Sequence, residues 1–496
     1  MATHVRSEIT SIPAERARLN PSGACVADDT RRLDNAGFAM AVDQTASLLA
    51  DLGVSAGDTV AVMLPNCVEL VTSMFAAWRL GAALTPVNPV LTDDEVLYQL
   101  RDSAAVVLVG EDRGRPLAAA ADAGFLPATA LSARTLARET TTGGRTPAAH
   151  SQAEDFALII YTSGTTGRPK GVLLDHANLS AMTASLIEAL TLGPADTSLV
   201  VLPLFHANGL VVSVLSALRA GGDIDITGRF DASTFWDIVA ARRPTYLSAV
   251  PTIYARLEAQ APRAVDTSSL RFVICGAAPM PADLIGRFEA RFGVPIIEGY
   301  GLSEGTVAST LNPISGPRKP GTVGVALPGQ HVAIMAADGT RLPRGGRGEV
   351  IIRGANVMRG YLGKPDATEA VLRDGWLHTG DVGYLDDDGY LVLVDRIKDM
   401  IIRGGENIYP KEIEDVLYQH PAVLEAAVIG RADAVLGEVP VGYVALRPGA
   451  AVDVVELAEH CRARLARYKV PQEIRVLPQL PKNSVGKLVK GFLRRD

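Results

Sequence analysis

The feature that most constrains this chain is a short apolar run, ALIIYT, which leads directly into the glycine-rich segment SGTTGRPKG. We interpret the run as a buried β-strand. The segment after it holds Gly164, Gly167 and Gly171 among hydroxyl residues, with Arg168 and Lys170 beside them. Glycine permits a positive φ and a close backbone approach, so such a loop can surround an anion with N–H groups. A strand that ends in an anion-binding loop predicts an α/β fold with its ligand at the strand end.

The loop does not have the spacing of the common phosphate-binding loop of nucleoside triphosphatases. That motif needs a glycine, four residues, and then Gly-Lys followed by Ser or Thr. Counted from Gly164, the second glycine would stand at position 169, where the chain has Pro169. The later segment PKNSVGK also fails the pattern, because Pro481 and Leu488 stand in the wrong places. If this loop holds phosphates, it does so in another class of enzyme.

Strands and helices alternate along the first part of the chain. The strand-like segments DTVAVMLP and AALTPVN flank the helical run Val68–Leu80, as in a layered α/β domain. Three β-rich runs end near residues 162, 276 and 299, each beside glycine. Ligands of open α/β sheets gather at the carboxyl ends of strands, so we expect one shared crevice there. Short strands and turns in residues 321–390 predict a small β-rich subdomain.

Composition limits the class of protein. With 496 residues the chain is long enough for more than one domain, and 48% hydrophobic and 21% charged residues are typical of a soluble globular protein. The net charge of −7 argues against nucleic acid as the main partner, because neutralising phosphates needs a basic face. No CxxC or metal-ligand spacing links the cysteines, so we expect a reducing compartment. They are Cys25, Cys67, Cys275 and Cys461.

No segment of the sequence has the pattern of a membrane span. The N-terminus, MATHVRSEITSIPAERARLN, carries charges where a signal peptide needs an apolar stretch. The longest apolar region, Leu199–Leu218, is interrupted by Pro203, His206 and Asn208, whereas a span needs about 20 mostly apolar residues. We therefore predict no transmembrane segment and a cytoplasmic location, and leave peripheral membrane contact open.

Eight segments, in order, resemble the adenylate-forming superfamily of acyl-CoA synthetases, 4-coumarate–CoA ligases, peptide-synthetase adenylation domains and luciferases. They are YTSGTTGRPKG, LPLFH, CGAAPM, EGYGLSE, GWLHTGD, DRIKD, RGGENIYP and PKNSVGK. The resemblance runs from roughly Asp51 to Phe492. It implies an AMP-forming acyl-CoA synthetase, in which a carboxylate and Mg-ATP give acyl-AMP and pyrophosphate, and coenzyme A then gives acyl-CoA and AMP. The implied cofactors are ATP, Mg²⁺ and coenzyme A.

The resemblance also implies which residues bind the nucleotide. The glycine-rich loop would hold the β- and γ-phosphates through Thr162, Ser163, Gly164, Thr165, Thr166, Gly167 and Lys170. The CGAAP segment would line the adenine through the backbone of Gly276, Ala277, Ala278 and Pro279. The EGYGLSE segment would add Gly299, Tyr300, Gly301 and Ser303, with the Tyr300 ring stacked on the base. Ser303 stands where the family usually has Thr.

Four charged residues are implied at the reacting groups. Glu304 would be the Mg²⁺ ligand, since that ion takes few protein oxygens. Asp381 would accept hydrogen bonds from the ribose hydroxyls, and Arg396 would act at the ribose and phosphates. Lys487 would bridge the substrate carboxylate and the α-phosphate, offsetting the repulsion between two anions. The nearby DDD at residues 386–388 is interpreted as a turn rather than a metal cluster.

The resemblance divides the chain into two domains. Residues 1–395 would form an N-terminal adenylation domain of layered α/β subdomains with the ATP and acyl sites. Residues 399–496 would form a small mobile α+β domain that carries Lys487. Residues 396–398, with Lys398, would be the hinge. Rotation about it would withdraw Lys487 and bring a loop to the pantetheine of coenzyme A. That loop holds Gly404, Gly405 and Glu406.

The residues implied at the acyl pocket are small and mostly uncharged. His206 matches the aromatic–histidine gate of the family, and the full set is Phe205, His206, Ala207, Asn208, Gly209, Gly299, Gly301 and Val307. Malonyl-CoA synthetases, which also resemble this chain, have Arg where Gly299 stands. Oxalyl-CoA synthetases usually have histidines in place of Asn208 and Val307. A second carboxylate would lack a partner here, so we expect a medium-chain fatty or aromatic monocarboxylic acid.

Several alternatives are kept beside this prediction. One is a CoA ligase for oxalate or another small diacid, and another is a stand-alone adenylation enzyme that loads a carrier protein. A luciferase and a catalytically silent nucleotide-binding protein are disfavoured, the latter because Lys170, Glu304, Asp381, Arg396 and Lys487 are all present. The predicted small-molecule partners are a carboxylic acid, ATP and CoA. The protein partners considered are an acetyltransferase acting on Lys487 and a second copy in a homodimer.

Overall fold

The computed structural model of the protein describes most of the chain, namely residues 8–110, 130–132, 151–162, 168–262, 264–278, 280–404, 406–482 and 488–494. Some predicted site residues therefore lie outside the described residues: Ser163, Gly164, Thr165, Thr166, Gly167, Pro279, Gly405 and Lys487. The described strands form four sheets, of nine, seven, five and five strands. This mixed α/β architecture confirms the predicted fold class.

The seven-stranded sheet contains the strand that leads into the glycine-rich loop. Its described strands, in spatial order, are Gly360–Tyr361, Lys170–Asp175, Phe156–Thr162, Ala83–Pro86, Thr59–Met63, Ala105–Gly110 and Ala130–Ser132. The predicted strand–helix–strand unit is confirmed as Thr59–Met63, the helix Val68–Arg79 and Ala83–Pro86. All five residues of Thr59–Met63 are buried, as expected for a strand covered on both faces.

The nine-stranded sheet brings two of the predicted strand ends together. Its described strands, in order, are Val325–Ala326, Thr310–Leu311, Ile296–Tyr300, Phe272–Cys275, Tyr246–Ala249, Thr197–Val200, Asp223–Ile226, Ala24–Ala27 and Arg32–Asp34. Ile296–Tyr300 and Phe272–Cys275 are parallel neighbours with Cys275 opposite Glu298, so the ends near 276 and 299 share one sheet edge. The end near 162 belongs to the seven-stranded sheet. The sequence pattern located strand ends but did not assign them to sheets.

Two five-stranded sheets complete the described strands. One forms the β-rich subdomain predicted near residues 321–390, and its strands are Gln330–Met335, Gly348–Gly354, Leu372–Arg373, Trp376–Leu385 and Leu391–Arg396. The other lies in the C-terminal part, with strands Ile401–Arg403, Glu406–Ile408, Val423–Asp433, Gly437–Leu446 and Glu473–Val476. One apolar cluster of this part contains only residues after position 400, which is expected if the C-terminal part has a hydrophobic core of its own.

Helices cover the sheets, and several begin at recognisable caps. The Thr92 hydroxyl and the Glu95 carboxylate form a capping box before Asp93–Asp102. No described helix is both long and apolar enough to cross a bilayer. The described α-helices are Ile12–Leu19, Asn35–Asp51, Val68–Arg79, Asp93–Asp102, His176–Leu190, Ser216–Arg219, Phe235–Arg242, Pro251–Gln260, Ala282–Phe292, Pro365–Val371, Pro410–Tyr418, Val454–Arg462 and Lys490–Leu493. Four 3₁₀ turns and one π-helix add Ile9–Ser11, Ser303–Gly305, Ile397–Asp399, Arg467–Lys469 and Asn208–Leu215.

The core of the N-terminal part contains two buried tryptophans with different hydrogen bonding. Trp78 is fully buried, and its indole N–H donates to the carbonyl oxygen of Ala157 at 2.8 Å. Ala157 lies on the strand that leads into the glycine-rich loop, so this bond ties that strand to the helix Val68–Arg79. Trp236 is also buried, but its indole nitrogen has no hydrogen-bond partner among the described residues.

We expect Trp78→Phe to destabilise the protein more than the matched control Trp236→Phe. Both substitutions remove similar volume from a core, but only Trp78→Phe leaves a buried carbonyl without its donor. The additional loss in the free energy of unfolding should be about 1–2 kcal/mol. Urea unfolding followed by tryptophan fluorescence and circular dichroism would measure it. Equal losses for the two variants would contradict a stabilising role of the bond to Ala157.

Candidate active site

A cavity opens at the carboxyl ends of the two parallel strands Phe272–Cys275 and Ile296–Tyr300. It is small, about 30 Å³, which is enough for only a few water molecules. The residues that line it are Leu186, Asn208, Val212, Ile274, Cys275, Gly276, Ala277, Gly299, Tyr300, Gly301, Val307, Ala308 and Leu311.

Half of the predicted acyl-pocket residues line this cavity. Those in the wall are Asn208, Gly299, Gly301 and Val307, whereas Phe205, His206, Ala207 and Gly209 are not among the lining residues. Asn208 begins the π-helix, a rare helix type that is frequent at functional sites. Its side-chain oxygen accepts a hydrogen bond from the buried Ser248 hydroxyl at 2.9 Å. The amide of Asn208 is thus held in place at the cavity wall.

His206 lies next to the wall and is uncharged at neutral pH. Burial lowers its pKa to about 4, and its Nε2 atom has no hydrogen-bond partner among the described residues. Its ring contacts the Phe205 ring, with the centroids 4.5 Å apart. The gating role of His206 stays a prediction.

The cavity wall continues into a buried carboxylate. The Tyr300 hydroxyl donates to Oδ2 of Asp381 at 2.6 Å, and Nε of Arg396 lies 3.0 Å from Oδ1. Asp381 and Arg396 face each other on adjacent strands of the β-rich subdomain, so the pairing of those strands sets their distance. Burial, together with the neighbouring carboxylate, keeps the pKa of Tyr300 well above its usual value. The structure therefore brings together three residues that the sequence predicted separately.

Lys398, the predicted hinge residue, follows Arg396 in a 3₁₀ turn. Burial lowers the pKa of its amine, while the nearby Asp399 opposes that shift. Gly404 and Glu406 belong to the C-terminal sheet region, where the Gly404 N–H donates to Leu436 at 2.7 Å. The hinge and the pantetheine loop stay predictions.

Lys170 and Glu304 are joined through a residue that the sequence reasoning missed. The Lys170 amine lies 4.8 Å from the centre of the Tyr361 ring, within the range of a cation–π contact. The hydroxyl of Tyr361 donates to Oε1 of Glu304 at 2.8 Å. The predicted phosphate cation and the predicted metal ligand therefore flank one tyrosine. Nothing in the segment RGYLG singles out Tyr361, because only the strand pairing places it there.

The turn after Glu304 is strained and held by buried hydrogen bonds. Thr306 and Val307 have φ values of 52° and 85°, which are unfavourable for β-branched residues. The Thr306 hydroxyl donates to the carbonyl of Asn356, and the Asn356 amide donates to Gly305 at 2.9 Å. This turn directs Glu304 and Val307, and no sequence motif pointed to Asn356. A side chain at Gly301 would place its Cβ 2.2 Å from the Val307 oxygen, so the close approach requires glycine.

Both described flanks of the glycine-rich loop are attached to the helix Asp93–Asp102. Before the loop, the Tyr161 hydroxyl donates to Oδ2 of Asp102 at 2.8 Å. After it, the Tyr98 hydroxyl donates to the carbonyl of Pro169 at 2.8 Å, and Arg168 lies 5.4 Å from the centre of the Tyr98 ring. The two ends of the loop are therefore fixed to one rigid element.

Three neighbouring carboxylates at residues 386–388 lie outside this site. Among the described residues, no group of three or more His, Cys, Asp and Glu is placed to hold a metal ion. Asp386 and Asp388 instead contact the Lys319 amine at 2.7 and 2.5 Å. Oδ1 of Asp386 accepts the N–H groups of Asp388 and Tyr390, as in a turn. This agrees with the turn interpretation of residues 386–388.

Comparison with known proteins identifies the enzyme family to which the chain belongs. The family model described as "AMP-binding enzyme" matches residues 14–362, and the model described as "AMP-binding enzyme C-terminal domain" matches residues 412–487. The chain therefore belongs to the AMP-binding enzyme family, which confirms the predicted resemblance to adenylate-forming enzymes.

Particular relatives narrow the class to CoA ligases. A feruloyl-CoA synthase of Amycolatopsis is 39% identical over 490 residues, which are 98% of each chain. An oxalate–CoA ligase of Arabidopsis thaliana is 36% identical over 469 residues, 91% of each chain. The o-succinylbenzoate CoA synthetase of Bacillus subtilis, solved with ATP and magnesium, has a TM-score of 0.87 at 32% identity and covers 98% of this chain and 99% of that one. These findings confirm an AMP-forming acid–CoA ligase, and ATP, Mg²⁺ and coenzyme A as its predicted cofactors.

We expect part of the acid sensitivity of the fold to come from His206. Its pKa is lowered from 6.5 to about 4, so between pH 7 and 5 the unfolded chain takes up a proton that the folded chain does not. The contribution of the neutral His206 ring to the free energy of unfolding is therefore present above pH 6.5, and it is lost as the pH falls towards 4. The free energy of unfolding should therefore fall less between pH 7 and pH 5 in His206→Asn than in the parent protein, by about 2 kcal/mol.

The matched control is His331→Asn, because His331 is exposed on the strand Gln330–Met335. Urea midpoints at pH 7 and pH 5 would be compared for both variants and the parent protein. His176, whose pKa burial also lowers to about 4, is present in all three proteins and cancels. An unchanged pH dependence in His206→Asn would contradict the neutral, buried state of this ring.

Proposed function

We propose that this protein is an AMP-forming CoA ligase for an aromatic monocarboxylic acid, with medium-chain fatty acids as the second candidate. The observation that carries the proposal is that Tyr300 belongs both to the wall of an uncharged cavity and to the Asp381 contact. An acyl group in the cavity and a ribose at Asp381 would then lie on either side of one residue. That is the arrangement needed to join an acid to a nucleotide.

The residues that line the cavity favour a substrate with a single carboxylate group. Its described lining residues include no Lys, Arg or His, so a second carboxylate would be desolvated without a partner, which is unfavourable. Leu186, Val212, Ile274 and Leu311 offer apolar contact, and the fixed amide of Asn208 offers one polar contact. A substituted aromatic ring matches this combination. The similarity to a feruloyl-CoA synthase over nearly the whole chain points the same way.

The residues around Glu304 and Lys170 are suited to bind Mg²⁺ that arrives as a complex with ATP. Glu304 provides one carboxylate, with Oε1 taken by the Tyr361 hydroxyl. Mg²⁺ is usually held by one or two carboxylates together with substrate phosphates and waters, so one carboxylate is enough. When bound, the ion supplies charge neutralisation at the phosphates. Lys170 is proposed to bind the β- and γ-phosphates, together with the glycine-rich loop.

The first half-reaction is proposed to depend on positioning and charge. Asp381 would fix the ribose through its remaining acceptor capacity, and Arg396 would hold that carboxylate while facing the phosphates. Lys487 would offset the repulsion between the acid and the α-phosphate as the carboxylate oxygen bonds to phosphorus and pyrophosphate leaves. The CoA thiol would then attack the acyl carbon and release AMP.

The two half-reactions are proposed to be divided between domain orientations. Residues 1–395 would hold the nucleotide and acid, residues 396–398 would be the hinge, and residues 399–496 would carry Lys487. The described C-terminal cluster, built from residues after position 400, is compatible with such a unit.

The proposal is tested by pyrophosphate release from Mg-ATP across a panel of acids, with AMP release measured with and without CoA. The panel contains ferulate, coumarate, benzoate, octanoate, laurate, oxalate and malonate. We expect the highest kcat/KM with a hydroxycinnamate, and AMP release that needs CoA but no carrier protein. A peak at oxalate or malonate would contradict the inference from Asn208, Gly299 and Val307. Turnover only with an added carrier protein would contradict CoA as the acceptor.

Lys487 provides a second test, because its proposed role belongs to one half-reaction. Lys487→Ala, or acetylation of Lys487, should reduce acyl-AMP formation by about 100-fold or more, since both remove the charge between two anions. Thioester formation from preformed acyl-AMP and CoA should stay within about 3-fold of the parent rate. Single-turnover assays of the two half-reactions would measure this. Equal losses in both would contradict the assignment.

A further inference from the structure

We propose that Tyr361 is a positioning residue for the metal–triphosphate group, holding Glu304 and Lys170 at a fixed separation. The inference rests on the proposed function, because it takes Glu304 as the Mg²⁺ ligand and Lys170 as the phosphate cation. It adds a residue that carries no charge and that none of the eight motifs contains.

The position of Tyr361 is set by backbone pairing with the strand that starts at Lys170. Gly360 and Tyr361 pair antiparallel with Leu173 and Val172, and the Leu362 N–H donates to the Gly171 carbonyl at 2.8 Å. The hydroxyl of Thr368 accepts the backbone N–H of Tyr361 at 2.9 Å, which fixes the other side of this short strand.

The same segment also holds the turn of Glu304. The Met358 N–H donates to the backbone carbonyl of Glu304 at 2.8 Å, and three residues later the Tyr361 hydroxyl donates to its carboxylate. Glu304 is thus held at both its main chain and its side chain by residues 358–361. The seven-stranded sheet and the metal-ligand turn are joined here.

The side chain of Tyr361 contacts both charges in different ways. Tyr361 is a buried residue; its ring lies against the Lys170 amine, and its hydroxyl donates to one carboxylate oxygen of Glu304. With Oε1 engaged by this hydroxyl, Oε2 would be the carboxylate oxygen left to bind a metal. The cation–π contact keeps Lys170 near the same place before ATP binds.

This arrangement makes two separable predictions. Tyr361→Phe keeps the ring and removes the hydroxyl, so it should weaken binding of Mg-ATP by about 10-fold, the size expected for a hydrogen bond to a charged group. Binding of AMP, which has neither β- nor γ-phosphate, should be unchanged. Tyr361→Leu also removes the ring and should weaken Mg-ATP binding by about a further 3-fold through loss of the contact with Lys170.

The matched control is Tyr390→Phe, since Tyr390 also combines a hydroxyl hydrogen bond with a lysine near its ring, at a place away from Glu304. Its hydroxyl donates to the Pro317 carbonyl at 2.7 Å, and the Lys319 amine lies 4.5 Å from its ring centre. This variant should bind Mg-ATP and AMP as the parent protein does. The melting temperature of each variant, measured by circular dichroism, verifies that the folded protein is being compared.

Isothermal titration calorimetry with Mg-ATP and with AMP is the test, and it needs no turnover. Selective loss of Mg-ATP affinity in Tyr361→Phe supports the proposal, and so does the absence of any added loss when Tyr361→Phe is combined with Glu304→Gln. Unchanged Mg-ATP affinity, or equal losses for Mg-ATP and AMP, would overturn it. A parent protein that binds Mg-ATP but activates no acid in the panel would instead count against the proposed function.

Discussion

The pairing of two residues, Gly360 and Tyr361, with the strand Lys170–Asp175 is the contact on which the proposed phosphate end of the site depends. It joins segments about 190 positions apart in the sequence and attaches the turn of Glu304, the proposed metal ligand, to the seven-stranded sheet. The Arg359 N–H adds a further bond between these segments, donating to the Leu173 carbonyl at 2.9 Å. A backbone pairing is a strong means of fixing them, because neither partner needs to be charged or exposed.

The proposed nucleotide end depends on a different contact, between the nine-stranded sheet and the β-rich subdomain. The last residue of the strand Ile296–Tyr300 bonds Asp381 of the β-rich subdomain, and Arg396 bonds the same carboxylate from the neighbouring strand. Three sheets therefore contribute to one site, and the small cavity lies where the nine-stranded sheet meets this carboxylate. Strain in the turn of Thr306 and Val307 is maintained by the buried Asn356, which is typical of residues held in place for function.

Much of this was predictable from the sequence, and the reasons are local. Apolar runs flanked by glycine predicted the strands Phe156–Thr162, Phe272–Cys275 and Ile296–Tyr300, because burial and strand termination are encoded in neighbouring residues. Motif order predicted the enzyme class and the charged groups Asp381 and Arg396, which the structure places in contact. The sequence could not show that these strands divide between two sheets, since strand pairing depends on residues far apart in the chain.

The residues that were not predicted from the sequence were missed for a common physical reason. Tyr361, Asn356 and Ser248 act through contacts with residues at least 40 positions away, and each is of an ordinary type with no local pattern around it. The π-helix at Asn208 was also missed, because its apolar sequence suits an ordinary buried helix equally well. The choice of acid depends on the shape of the cavity wall, which residues from several distant segments form together, so no local sequence pattern predicts it.

The central claim is that the carboxylate oxygen of the acid bonds to the α-phosphorus of ATP. It is tested most directly with ferulate labelled with ¹⁸O in both carboxylate oxygens, turned over with Mg-ATP and CoA, followed by mass spectrometry of the products. The account predicts AMP that carries one ¹⁸O atom and pyrophosphate that carries none. Label in inorganic phosphate, with ADP as the nucleotide product, would show attack at the γ-phosphorus and contradict it.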